Sequence, residues 1–147
     1  MLQPPPEIQP IAAASAVLIR DNQVLMVKRG QAPNKGLWSF PGGKIQAGEP
    51  VSQAVLRELA EETGISAEVR ELITVLDIIA RDESRVRYHY LLVVMRCDWR
   101  GGEPLAGDDA AEARWVAIDE LRGGRYPLTD TILPVLDQLT GNSRPGD

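Results

Sequence analysis

The chain has 147 residues, of which 44% are hydrophobic and 25% charged, with a net charge of −5. That length suits one domain with a single core, and that composition excludes a wholly disordered chain. The acidic balance argues against a nucleic-acid polymer as partner, because phosphate backbones are bound by basic surfaces; a small phosphorylated substrate stays open, since a bound cation can invert the local field.

Met1 to Pro10 carries Pro4, Pro5 and Pro6 and no basic residue, so residues 1–10 read as an extended, mobile tail. The apolar run that follows, Ile11 to Ile19, is nine residues long. A membrane span needs about 20, so neither a signal peptide nor a membrane anchor is expected. The domain proper is expected over 11–140, and residues 141–147 read as a second mobile tail. Cys97 is the single cysteine, so no internal disulfide can form, which fits a reducing cytoplasm.

Ile11 to Arg20, rich in Ala, Val and Ile, predicts a strand. Asp21-Asn22 supplies a turn, and Gln23 to Arg29 is the hairpin partner. Gly30 to Gly36 is a polar loop. Leu37 to Phe40 is a short strand, stopped by Pro41-Gly42-Gly43. Pro50 to Thr63 predicts a helix, with Pro50 at the first helical position and Gly64 just past the end. Val69 to Ala80 and Val86 to Trp99 are β-rich, with a turn at Asp82-Glu83-Ser84. Arg100 to Ala111 is a Gly-rich acidic loop and Ala113 to Ile118 a last strand. Thr129 to Leu139 is a last helix with Thr129 as its N-cap, short or kinked because it contains Pro134. This order predicts an α/β fold, a mixed sheet with helices packed on its faces.

The helix over 50–63 concentrates acid. Residues three and four apart are neighbours on a helix, so Glu58 lies beside both Glu61 and Glu62. The three carboxylates share an arc of about 100°, while Val55, Leu56, Leu59 and Ala60 occupy much of the other side. Like charges at these spacings cost roughly 0.2–0.5 kcal/mol per pair. They also sit at the negative end of the helix dipole, with only Arg57 to compensate. A solvated acidic face is one reading of such a cluster. A bound Mg²⁺ or Mn²⁺ is the other, because hard cations take carboxylate oxygens.

Gly43, Glu49, Arg57, Glu58, Leu59, Glu61, Glu62, Gly64 and Ile65 fill every fixed position of the pattern G-x5-E-x7-R-E-U-x-E-E-x-G-U, where U is a bulky apolar residue. That segment resembles the Nudix box. It covers 23 of the 147 residues, and Leu37-Trp38-Ser39-Phe40-Pro41-Gly42 before it is also typical of the family. The strand order resembles the family's α/β/α sandwich with a central mixed sheet. The resemblance implies a hydrolase of nucleoside diphosphates linked to a second group, with Mg²⁺ or Mn²⁺ held by Glu58, Glu61 and Glu62. It implies that Arg57 orients Glu58 by an ion pair, and that Glu58 serves partly as the base in some members. Gly43 either lets backbone approach the substrate or is a turn glycine, and Glu49 either touches metal or favours the helix start.

A loop carboxylate often completes the metal site in this family, which makes Asp109 and Glu112 candidates beside a plain solvated loop. Lys44 and Arg29 are candidates for phosphate contacts, with surface charge as the alternative. Asp130 is a candidate for a purine edge by resemblance to oxidised-purine triphosphatases, or a first-turn acid of the last helix. His89 reads as a sheet residue, Trp38, Trp99 and Trp115 as packing, and Cys97 as an inert thiol. Arg81, Arg85 and Arg87 flank the hairpin turn, either meeting phosphate or solvating it. The segment Gly107 to Val116 resembles an ADP-ribose pyrophosphatase-like subgroup, which makes ADP-ribose or a similar derivative the expected substrate. The alternatives are canonical or oxidised nucleoside triphosphates, a nucleotide-sensing module without catalysis, and a structural domain with an acidic helix. A small nucleotide is the expected partner, with no membrane, and a homodimer stays open.

Overall fold

The computed structural model describes residues 8–32 and 34–140. The tails expected at 1–10 and 141–147 lie outside the described residues except for 8–10, which are exposed and irregular. In chain order the elements are β1 (Ile11–Arg20), β2 (Gln23–Arg29), β3 (Trp38–Ser39), β4 (Gly42–Lys44) and α1 (Val51–Thr63). There follow β5 (Ser66–Asp82), β6 (Arg85–Gly101), β7 (Ala110–Ala117), α2 (Ile118–Arg122) and α3 (Ile132–Thr140).

The strands form one seven-stranded sheet in the order β3-β2-β1-β6-β5, with β4 also on β1 and β7 also on β2. β1 and β6 run parallel, and the other pairs are antiparallel, so the sheet is mixed. The β1–β2 turn has Asp21 at φ 52 and Asn22 at φ 61, the left-handed pair that matches strand twist. β1 and β2 pair only beside that turn, at Ile19 with Val24 and Arg20 with Gln23. Farther back, β1 pairs with β4 and β6, while β2 pairs with β3 and β7.

The period-2 pattern of β1 explains the layers. Ala14, Ala16 and Leu18 point to one face, where they meet Leu25, Cys97 and the helical Val55 and Leu59. Val17 points to the other, where Val24, Met26, Phe40 and Val116 meet Leu121 of α2 and Ile132 and Leu136 of α3. Each fully buried Val or Leu contributes about 1.5–3 kcal/mol. The α/β/α arrangement expected from the element order is the one observed.

Several boundaries differ from expectation, each for a physical reason. Gly42-Gly43 does not only stop a strand: Gly42 to Lys44 pair with Ser15 to Ala13. Pro50 is extended, at ψ 152, and caps α1 from outside. Gly64 closes α1 at φ 71, with its N–H on the Ala60 carbonyl. Ile118–Arg122 is helical although five residues are too few to show a period. α3 starts at Ile132, beyond Thr129, so Thr129 is not its N-cap. Pro134 thereby falls in the first turn, where a missing N–H costs no helical bond, and the helix is short without needing a kink.

Candidate active site

α1 buries Val55 and Leu59 and turns its acids toward β4 and the loop before β7. Arg57 is the hub of the exposed side. Its Nε donates to Glu49 at 2.6 Å, its Nη2 to Glu49 and to the Lys44 carbonyl at 3.0 Å, and its Nη1 to Glu58 at 2.8 Å and Glu61 at 3.2 Å. Glu49 also accepts the Gln46 N–H at 3.0 Å, so it ties the loop before α1 to the helix. Arg57 holds the Glu49 carboxyl below the usual range, and its own pKa is raised mainly by Glu49.

Glu58, Glu61 and Asp108 bring one carboxylate oxygen each within 4.8 Å of one another. This is a set of hard oxygen donors of the kind that binds Mg²⁺ or Ca²⁺. Burial pushes the Glu58 pKa up, Arg57 pulls it back, and the charges of Glu61 and Asp108 push it up further. Such mutual repulsion fits a cation-binding role, because a cation would relieve it. Gly43 packs directly on this group: a Cβ there would lie 2.6 Å from Glu58 Cδ and 2.7–2.8 Å from its two oxygens.

The loop that delivers Asp108 is seated on the end of α1. The N–H groups of Leu105 and Gly107 donate to the carbonyls of Thr63 and Glu62 at 2.9 and 3.0 Å, satisfying helix ends that would otherwise lack partners. Ala110 N–H then donates to Gly107 O at 3.0 Å, with Asp108 in the left-handed region at φ 52. This geometry corrects the expected loop ligands. Asp109 lines the cavity but is not in the cluster. Glu112 lies on β7 opposite Lys28 and pairs with Lys28 at 3.5 Å and Arg114 at 2.7 Å, outside the cavity lining. The local sign of Asp108 was Gly107-Asp108, a pair that favours a left-handed turn.

Glu62 also stands apart from the cluster. It is 7% exposed and accepts the Gly42 N–H at 2.9 Å. Burial pushes its pKa up to about 8, against the pull of the Gly42 N–H. Between an unfolded value near 4.5 and about 8, the folded chain keeps a proton that the unfolded chain has lost. This contribution to stability is therefore complete below about pH 4.5 and is lost as pH rises through 8. Without divalent cation, Glu62→Gln melts with the wild type near pH 4.5 and above it at pH 9, by about 2 kcal/mol or more in unfolding free energy. Melting curves of both proteins from pH 4.5 to 9 check this, and parallel curves would refute it.

A cavity of about 610 Å³ opens beside these acids. Glu58, Glu62, Asp108 and Asp109 line one part of it, and Arg29 and Lys44 add positive charge. Phe40, Ile78, Tyr88, Tyr90 and Leu92 supply apolar wall, with the two tyrosine rings 5.5 Å apart. Asp130 also lines the cavity and is exposed. His89 bonds Asp77 at 2.9 Å, outside the cavity lining. Trp38 packs edge-on to Tyr126, and Arg20 lies 3.9 Å over Trp99. Cys97 is buried, and burial pushes its pKa up to about 12, which fits an inert thiol. Arg81, Arg85 and Arg87 are exposed at the hairpin tip and do not line the cavity. Asp108, Ser15, Tyr88 and Tyr90 are cavity residues that sequence reasoning did not single out.

The family model of the NUDIX domain matches residues 9–139. The chain belongs to the Nudix family. A curated relative from Methanocaldococcus jannaschii, named ADP-ribose pyrophosphatase, is 39% identical over 114 residues, 78% of this chain and 66% of that protein. The Nudix chain described here thus spans just under two thirds of that relative's length. The CTP pyrophosphohydrolase of Escherichia coli is 42% identical over 140 residues, 93% of this chain and 98% of that protein. Among solved structures, the MutT NUDIX hydrolase from Burkholderia pseudomallei superposes with a TM-score of 0.79 at 34% identity, over 89% of this chain and 98% of that one. No helix among the described residues is long and apolar enough to cross a membrane.

Proposed function

We propose that this Nudix protein is a divalent-metal-dependent hydrolase that cuts the diphosphate of ADP-ribose or a similar nucleoside diphosphate derivative, giving a nucleoside monophosphate and a second phosphate ester. The observation that carries this reading is the convergence of Glu58, Glu61 and Asp108 at a cavity whose other walls are apolar and aromatic. Those three carboxylates would hold Mg²⁺, with Mn²⁺ as the alternative. When bound, the cation neutralises the diphosphate and lowers the pKa of the attacking water.

The chain's own residues do the rest. Arg57 fixes Glu58 through Nη1 while its Nε and Nη2 clamp Glu49, so the Glu58 carboxylate is held from behind. Gly43 leaves room for that carboxylate. Glu62 lines the cavity, and its high proton affinity suits it to take the proton that the attacking water loses. Arg29 and Lys44 supply positive charge for phosphate oxygens, and Asp130 offers an acceptor elsewhere on the cavity wall. The nucleoside lies along Phe40, Tyr88 and Tyr90. A cytoplasmic location fits the single, buried Cys97.

A second reading is hydrolysis of nucleoside triphosphates to monophosphate and pyrophosphate. It is favoured by the E. coli relative, which this chain matches over nearly the whole length of both. A hydrolysis screen with Mg²⁺ over ADP-ribose, canonical and oxidised nucleoside triphosphates and dinucleoside polyphosphates tests both. The expected result is AMP and ribose 5-phosphate from ADP-ribose. Turnover of triphosphates alone would move the assignment to the second reading, and turnover of none, with Mg²⁺ or Mn²⁺, would overturn the hydrolase.

A further inference from the structure

Ser15 is a polar residue where the fold has no use for one. It lies in β1 between Ala13, Ala14 and Ala16, and it is 4% exposed. Its hydroxyl is buried without a hydrogen-bond partner among the described residues. Leaving a buried hydroxyl unpaired is unfavourable, and alanine would occupy the same space without that cost. Ser15 nevertheless lines the cavity, on the same strand face as Ala13.

Its surroundings say what it would meet. Ala13, Phe40, Leu92 and Tyr90 give the cavity apolar wall around it. Its partner across the β1–β4 ladder is Gly42, whose N–H is taken by the Glu62 carboxyl. A carboxyl one strand away disfavours a phosphate at this point, and apolar walls suit a flat ring. A hydroxyl both donates and accepts, so it can pair with the edge of any nucleobase.

We propose that the Ser15 hydroxyl is a direct hydrogen-bonding contact for the nucleobase of the substrate, at the floor of the slot walled by Phe40, Tyr90 and Leu92. This rests on the hydrolase reading above and names the part of the cavity that selects the base. Ser39, which also lines the cavity, lies one residue before Phe40 and adds a second hydroxyl on the neighbouring element.

The test uses the full chain in Mg²⁺, with binding measured by calorimetry. The probes are the α,β-methylene diphosphates of adenosine, cytidine, guanosine and uridine, and methylenediphosphonate as a probe without a base. Wild type binds at least one nucleoside probe more tightly than methylenediphosphonate. Ser15→Ala weakens that nucleoside probe by about tenfold, leaves methylenediphosphonate unchanged, and melts no lower than wild type. A variant that binds every probe like wild type, or loses both classes equally, overturns the inference while wild-type hydrolysis keeps the hydrolase reading intact. A clearly lower melting temperature assigns the hydroxyl to the fold and overturns it as well. A wild type that neither binds nor cleaves any nucleotide overturns the hydrolase reading, and this inference with it.

Discussion

Glu58→Gln lowers the rate of nucleotide hydrolysis by about 10²–10⁴-fold while the protein melts at or above the wild-type temperature. Two features of Glu58 make these effects diverge. Its carboxylate belongs to the three-acid cluster, so the charge lost is one that a cation needs. That same charge is unfavourable in the cation-free fold, because burial and the neighbouring Glu61 and Asp108 all raise its proton affinity. Arg57 loses one anionic partner but keeps its two-point contact with Glu49 and its bond to Glu61. Rates on ADP-ribose and CTP, beside melting curves without metal, check this. A variant that unfolds, or one that cleaves at the wild-type rate, contradicts it.

Gly43→Ala and Gly42→Ala, although adjacent, fail in different ways. At position 43 the new methyl meets the end of the Glu58 side chain, 2.6 Å from its carboxyl carbon. A side chain can swing aside, so the fold survives while Glu58 is displaced. An ångström of misplacement at a reacting centre costs about 10²-fold in rate, and that is the loss expected. At position 42 the methyl meets backbone, the Ala14 carbonyl oxygen and Ser15 Cα at 2.7 Å, which cannot swing. Gly42→Ala therefore lowers the unfolding free energy by about 3 kcal/mol and loosens the Glu62 anchor. Denaturation by urea and steady-state rates on both variants separate the two outcomes. Equal loss of stability in both would remove Gly43 from the site.

Much of this architecture was readable along the chain, and what was readable was local. The alternation of β1, the Asp21-Asn22 turn and the Gly64 stop each depend on a few neighbouring residues. The crowding of Glu58 and Glu61 follows from helical spacing alone. What escaped sequence reading depends on distant partners. Glu62 has the same helical spacing as its neighbours, yet it turns to Gly42 because β4 lies against β1 and presents an N–H there. Asp108 enters the cluster in place of Asp109 or Glu112 because its loop bonds to the last carbonyls of α1. Glu112, four residues on, is already in β7 and faces Lys28 across the ladder. The Ser15 hydroxyl could not be told from a harmless small residue until the cavity beneath it was seen.

Titration of the protein with Mn²⁺, followed by the electron paramagnetic resonance of the free ion, tests the three-acid site most directly. Wild type takes Mn²⁺ out of solution; Asp108→Asn weakens that uptake by about tenfold or more, whereas Asp109→Asn and Glu112→Gln leave it near the wild-type level. A wild type that leaves all the Mn²⁺ free, or an Asp108→Asn variant that binds as tightly as wild type, would contradict the account.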